Sequence, residues 1–166
     1  RAGLQAHADR MAAEAKLLYR CALPEACGTG TFFPPVLFEI PDISVLQGEV
    51  FGPVLHVVRY DDRKLDDVLA AIRGTGYGLT LGIHSRIRST IEKIAAVLPV
   101  GNVYVNRSMV GAVVGVQPFG GEGLSGTGPK AGGPHYLQRF AVERATADNI
   151  VAMGGNTELL SLDPEN

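Results

Sequence analysis

Apolar residues recur at helical spacing near the start of the chain. Leu4, Ala8, Met11, Ala15 and Leu18 share one face, with Asp9, Arg10, Glu14 and Lys16 mostly elsewhere, which predicts a helix from about Leu4 to Tyr19. Pro24 and the glycines at 28 and 30 end it and open a loop. Thr31 to Ile40 is apolar but carries Pro34-Pro35, so it reads as an edge strand or an extended connector. Val54 to Tyr60, rich in β-branched residues, is the clearest strand. Asp61 or Asp62 can cap a helix over Leu65, Val68, Leu69 and Ile72, closed by Gly74. Leu79 to Ser85 predicts another strand. Ser89 or Thr90 opens a helix with Ile91, Ile94, Ala95 and Leu98 on one face, stopped by Pro99 and Gly101. Asn102 to Asn106 is a further strand. Strand, helix, strand, helix, strand is the order of an α/β domain with parallel crossovers.

Beyond Ser108 the pattern dissolves. From there to Gly133 no regular structure is expected, and a loop of that length inside a compact domain is usually functional. Tyr136 to Val142 reads as a short helix or turn. Glu143 to Ala152 reads as a strand that pairs outside the domain, followed by Gly154-Gly155 and an acidic tail.

Composition narrows the function classes. The 166 residues fit one domain, and 46% hydrophobic against 19% charged content is enough to bury a core. A net charge of -2 without a basic stripe argues against nucleic acid as a partner. Met109 to Val116, the most apolar run, is too short and too glycine-broken to span a bilayer. The chain opens on Arg1 with no signal-peptide core, and we expect it to be a piece of something longer in a reduced, cytoplasmic setting. Cys21 and Cys27 have no zinc-type repeat, and His7, His56, His84 and His135 share no spacing, so no metal site is expected.

Two segments can carry chemistry. In Glu49-Val50-Phe51-Gly52-Pro53, the carboxylate of Glu49 can accept hydrogen bonds from adjacent hydroxyls, as on a ribose. Phe51 can lie against a flat heterocycle, while Gly52 and Pro53 fix the turn. The plain alternative is a turn with one solvated glutamate. In the long loop, the small residues Gly111 and Ala112 can offer backbone N–H groups to an anion, and Ser108 can add a hydroxyl donor. Arg107 can add charge, though an arginine at a strand end is as readily solvated or paired. Phe119 can wall an apolar pocket, or simply belong to the core. The glycine-rich run from Gly120 to Lys130 lacks the phosphate-loop pattern, since Lys130 is followed by Ala131. Cys21 follows Arg20 near a predicted helix end, where the dipole has the wrong sign to favour a thiolate, and Cys27 has Glu25 nearby. We identify no catalytic residue.

With these motifs in hand, Thr31 to Phe140 resembles the C-terminal part of the catalytic domain of the aldehyde dehydrogenase superfamily. The carrying residues are Glu-Val-Phe-Gly-Pro-Val-Leu-His-Val-Val-Arg-Tyr, Thr-Gly-Tyr-Gly-Leu-Thr-Leu-Gly-Ile-His-Ser, Gly-Asn-Val-Tyr-Val-Asn-Arg, and the run from Val110 to Pro134. The last is the most specific and points to the proline-catabolic branch, the L-glutamate γ-semialdehyde dehydrogenase domain of bifunctional proline-utilization flavoenzymes. The resemblance implies a mostly parallel sheet with flanking helices over residues 1–138, and a C-terminal extension, 139–166, that adds a strand to a partner subunit's sheet. It implies a homo-oligomer acting on a small-molecule substrate, with no nucleic acid and no membrane span.

It also implies roles. Glu49 holds the nicotinamide ribose of NAD and Phe51 contacts its nicotinamide end. Gly111 and Ala112 bind the substrate's α-carboxylate, Phe119 packs on its aliphatic part, and Asn106 lends support at the mouth of the loop. Gly120, Gly121 and Gly123 let the chain turn tightly beside the pocket. The reaction implied is oxidation of L-glutamate γ-semialdehyde to L-glutamate by a cysteine thiolate, NAD and water. That nucleophile, its oxyanion-hole asparagine, the general-base glutamate, the dinucleotide-binding domain and any FAD-binding domain all lie N-terminal to Glu49 in such enzymes. By itself the chain is therefore expected to be inactive. The competing reading is a non-catalytic carboxylate-binding or assembly module.

Overall fold

The computed structural model describes residues 2–149, 151, 152 and 154. They form two compact units divided between Gly133 and Pro134.

The first unit opens with α1 (Ala2–Glu14), which buries His7, Ala8 and Met11 on one face. The predicted helix is cut short. After the bond from Ala15 N to Met11 O, the chain turns into strand β1 (Lys16–Arg20), which pairs antiparallel with β2 (Val36–Glu39). Strand pairing overrides the helical spacing, and a bulge between Leu17 and Tyr19 marks where the two patterns collide. β2 is likewise not the edge strand expected. It lies between β1 and β3 (Val54–Val57), parallel to the latter. The prolines do not obstruct this because they sit just before the strand, where Pro35 contributes only its carbonyl, accepting from Cys21 N. β2 alternates buried and half-buried, and its Val36 and Phe38 join Ile40 and Met11 of α1 as the core. At the α1–sheet contact the Nε2 atoms of His7 and His56 lie 3.1 Å apart. Burial is the main cause holding both imidazoles below their ordinary pKa.

β3 ends three residues early, where Arg59 turns away to pair with Glu39 at 3.0 Å. Asp61 caps as predicted, but it caps a single 3-10 turn (Asp62–Lys64) that leads into α2 (Leu65–Gly74). Then β5 (Thr80–Ile83), α3 (Arg88–Val97) and β6 (Asn102–Val105) form the expected parallel crossover, with Ile83, Ile91, Leu98 and Tyr104 buried. α3 starts at Arg88, so Ser89 and Thr90 fall inside its first turn and cap nothing.

A single, mostly parallel sheet is not what forms. The described strands make three sheets, β1-β2-β3, β5-β6 and a further two-stranded one, and half of the ladder pairings are antiparallel. The sheet of β4 (Tyr77–Gly78) and β7 (Glu122–Gly123) tethers a stretch expected to lack regular structure. Phe119 and Ala131 exchange two further backbone bonds, of 2.9 and 2.7 Å. Gly101 permits this return path: a Cβ there would overlap the carbonyl of Gly120.

In the second unit, Leu137–Phe140 forms the predicted short turn, with the Tyr136 and Phe140 rings edge to face at 5.4 Å. Glu143–Asn149 joins no ladder among the described residues. Ile150, Met153 and the tail from Gly155 lie outside them.

Candidate functional site

Glu49 and Phe51 sit on the irregular stretch that enters β3. The turn between them and the strand is anchored on both sides, by Val54 N donating to Gly52 O and Val36 N donating to Pro53 O, each at 2.9 Å. This fixes the backbone while leaving both side chains in solvent. Glu49 is exposed, and Phe51 is 85% exposed. Glu49 lines an open cavity of about 630 Å³ together with Leu46, Thr75, Tyr77, Leu124 and Ser125. Phe51 does not line this hollow; an acidic group at the rim of a partly apolar cavity can accept from the hydroxyls of a sugar, and an exposed ring two residues on can meet a flat heterocycle.

The other predicted site residues lie on the loop that leaves β6. Asn106 holds the exit in the left-handed region, at φ 53°, and clamps it to the end of β5 through two bonds of 3.0 Å with the backbone of Ser85. Arg107 stacks its guanidinium over the Tyr104 ring at 5.3 Å, so its charge is used within the loop base. Ser108 Oγ accepts from Val110 N at 3.3 Å. Gly111 has φ 66°, which a side chain would disfavour. Further along, Val113 N donates to Gln117 Oε1 at 3.0 Å, and the amides of Val116 and Gln117 both donate to Val113 O at 2.9 Å. Between these fixed points, the amides of Gly111 and Ala112 donate to no acceptor among the described residues. Two adjacent free N–H groups beside a left-handed glycine form an arrangement suited to a carboxylate. Phe119, 58% exposed, stands where the loop returns.

Ser108, Gly111, Ala112 and Phe119 thus lie on one loop, and Glu49 and Phe51 on another segment. The cavity at Glu49 reaches Leu124 and Ser125 of the glycine-rich run, but none of the four loop residues lines it. Neither cysteine thiol has a hydrogen-bonding partner among the described residues, and those residues hold no cluster of metal-binding side chains. No described helix is long and apolar enough to cross a membrane.

Sequence reasoning missed a polar group beneath the loop. Lys130 donates to Gly101 O at 2.6 Å and to Asn102 Oδ1. Asn102 Nδ2 donates to Pro118 O at 3.2 Å and to Tyr104 Oη at 3.3 Å, and Tyr104 donates to Gly111 O at 3.4 Å. The available signal was the i, i+2 spacing of Asn102 and Tyr104, which puts both side chains on one face of a strand.

Comparison with known proteins identifies the family. The bifunctional protein PutA of Escherichia coli K12 is 62% identical over 116 residues, spanning 70% of this chain and 9% of that protein. The chain therefore covers about a tenth of that relative's length. A crystal structure of Bradyrhizobium japonicum proline utilization A superposes with a TM-score of 0.80 at 60% identity, covering 86% of this chain and 14% of that one. A Thermus 1-pyrroline-5-carboxylate dehydrogenase, solved with bound NAD, superposes with a TM-score of 0.72 at 40% identity, over 82% of this chain and 26% of that one. The aldehyde dehydrogenase family profile matches residues 3–145, and the chain belongs to that family.

Proposed function

We propose that this chain forms the C-terminal wall of the catalytic domain of an NAD-dependent L-glutamate γ-semialdehyde dehydrogenase acting in proline catabolism. The carrying observation is the pair of open amides at Gly111 and Ala112, on a loop clamped at both ends. In this reading they hold the α-carboxylate of the semialdehyde, with Ser108 as a neighbouring hydroxyl and Phe119 against the aliphatic chain. That orientation presents the aldehyde end for reaction. Glu49 accepts from the nicotinamide ribose hydroxyls and Phe51 packs at the nicotinamide end. NAD, when bound, supplies the hydride acceptor.

The nucleophile, the general base and any FAD-binding domain belong to other parts of the polypeptide in this reading. The Escherichia coli relative is far longer, the matched segment being 9% of it, and neither thiol here has a hydrogen-bonding partner among the described residues. The segment after Phe140 serves as an assembly strand between copies, and the protein works in the cytoplasm.

The test is a double dissociation in the full polypeptide carrying this segment. Removing one donor with Ala112→Pro should raise KM for the semialdehyde about ten- to hundred-fold, the effect of losing one hydrogen bond to a charged group, and leave KM for NAD unchanged. Glu49→Gln should do the reverse. Both variants shifting both constants alike would overturn the assignment. The 166-residue chain by itself should not reduce NAD with the semialdehyde.

A further inference from the structure

The part-buried polar group under the loop has a direction. Lys130 carries an ammonium that meets no carboxylate among the described residues and spends its donors on neutral oxygens, Gly101 O and Asn102 Oδ1. The amide of Asn102 then donates onward to Tyr104 Oη, and the hydroxyl of Tyr104, a residue only 6% exposed, donates to Gly111 O. Every link from the cation to Gly111 thus runs donor to acceptor in the same sense. The stem of Lys130 lies against Gly120, at a distance where a Cβ would press on its Cγ at 3.2 Å.

The last acceptor gives the chain its meaning. The carbonyl of Gly111 and the N–H of Ala112 belong to one planar peptide group, on opposite sides of the C–N bond. A donor fixed on Gly111 O therefore sets the direction in which the Ala112 N–H points, and withdraws electron density from the same amide. Hydrogen bonds in series strengthen one another, and a cation at the head of the series increases the effect. At 3.3 and 3.4 Å the two outer links are long, and an anion drawn to Ala112 N–H would tighten them.

We propose that Lys130, Asn102 and Tyr104 are positioning residues, a relay that orients and polarises the 111–112 peptide so that its N–H receives the substrate carboxylate. The relay rests on the reading of Gly111 and Ala112 as a carboxylate site. It adds what that reading lacks: a source of positive charge for an anion site whose contacting groups are all neutral. The role is specificity for carboxylate-bearing aldehydes, and the relay touches no reacting atom.

The experiment compares two aldehydes in the full polypeptide carrying this segment: glutamate γ-semialdehyde, and butanal, which has no carboxylate. Tyr104→Phe keeps the ring that fills the core and deletes the terminal donor. It should raise KM for the semialdehyde about three- to ten-fold, as for a neutral hydrogen bond, with kcat and all butanal constants unchanged. Lys130→Met keeps the aliphatic stem and removes the charge, and should shift the same constant in the same direction. If the unaltered protein shows no preference for the semialdehyde over butanal, the carboxylate site itself falls, and the relay with it. If that preference exists and both variants retain it in full, the site stands and the relay is overturned. Loss of butanal turnover in both variants also overturns it, because the three residues would then be a folding strut.

Discussion

In the layer made by α1 and β1-β2-β3, apolar side chains fill the space: Met11, Phe38 and Ile40 are each at most 2% exposed. In the region built on β5 and β6, the loop is held by backbone and single polar groups, from the Asn106 clamp to the Lys130 relay. Dispersion and apolar burial are non-directional and scale with area, so the first region tolerates changes of shape that conserve volume. Hydrogen bonds are directional, so the second can hold a loop in a defined orientation while leaving its outer face bare. The first region rests mainly on packing, whereas the second adds to its own buried Ile83, Ile91 and Leu98 a set of polar groups that fix the geometry of a surface rich in exposed valines, such as Val110 and Val114.

The comparison breaks most readily at Phe38. Phe38→Ala should destabilise the chain by about 3–5 kcal/mol, the usual cost of truncating a buried ring, measured as a fall in the urea midpoint. Circular dichroism should show loss of the whole fold at lower denaturant. A change below about 1 kcal/mol would mean that this layer is not the stabilising core.

Gly101→Val tests the second region. The new side chain would overlap the carbonyl of Gly120, forcing the return strand away from β6 at a cost of about 1–3 kcal/mol. Amide exchange should quicken in Phe119 and Ala131, whose mutual bonds depend on that approach, before it quickens in β2. Equal acceleration in both regions would show that they are one cooperative unit.

How much of this was readable in the sequence follows the same division. The β5-α3-β6 crossover was legible because each element carries its own period and the connections are short. β1 was not, because Leu17 to Tyr19 continue the helical stripe of α1 and only pairing with β2 decides otherwise. Pro34-Pro35 suggested an edge, although the strand starts one residue later and lies in the centre. At the site, the small residues of the loop and the Glu49 turn were visible as chemistry. The relay was hidden, because Lys130 meets Asn102 from 28 residues away and no local pattern encodes that meeting.

A milder probe of the first region is pH. His7 and His56 have pKa values held below the ordinary 6.5 by burial, and then by charge, from Arg10 in both cases and from His7 for His56. As pH falls below 6.5 the unfolded chain takes up protons that the folded pair resists, so stability declines until the folded values are passed. Above 6.5 both states are neutral and the contribution is complete. The urea midpoint should be flat from pH 8 to about 7 and fall towards pH 5, more steeply than in His56→Gln. An unchanged slope in that variant would show that the pair is not the cause.

The smallest effect on stability should come from Phe51→Ala. At 85% exposure the ring contributes almost no burial, so the urea midpoint should move by no more than about 0.5 kcal/mol equivalent. Under the proposed function the same change should still weaken NAD binding by the full polypeptide, by about three- to ten-fold for an aromatic contact of roughly 1 kcal/mol. A ring that is neutral to folding and costly to cofactor binding would place Phe51 with the geometry-giving surface. A ring that is neutral to both is only an exposed side chain on a turn, and the cofactor half of the site would then rest on Glu49 alone.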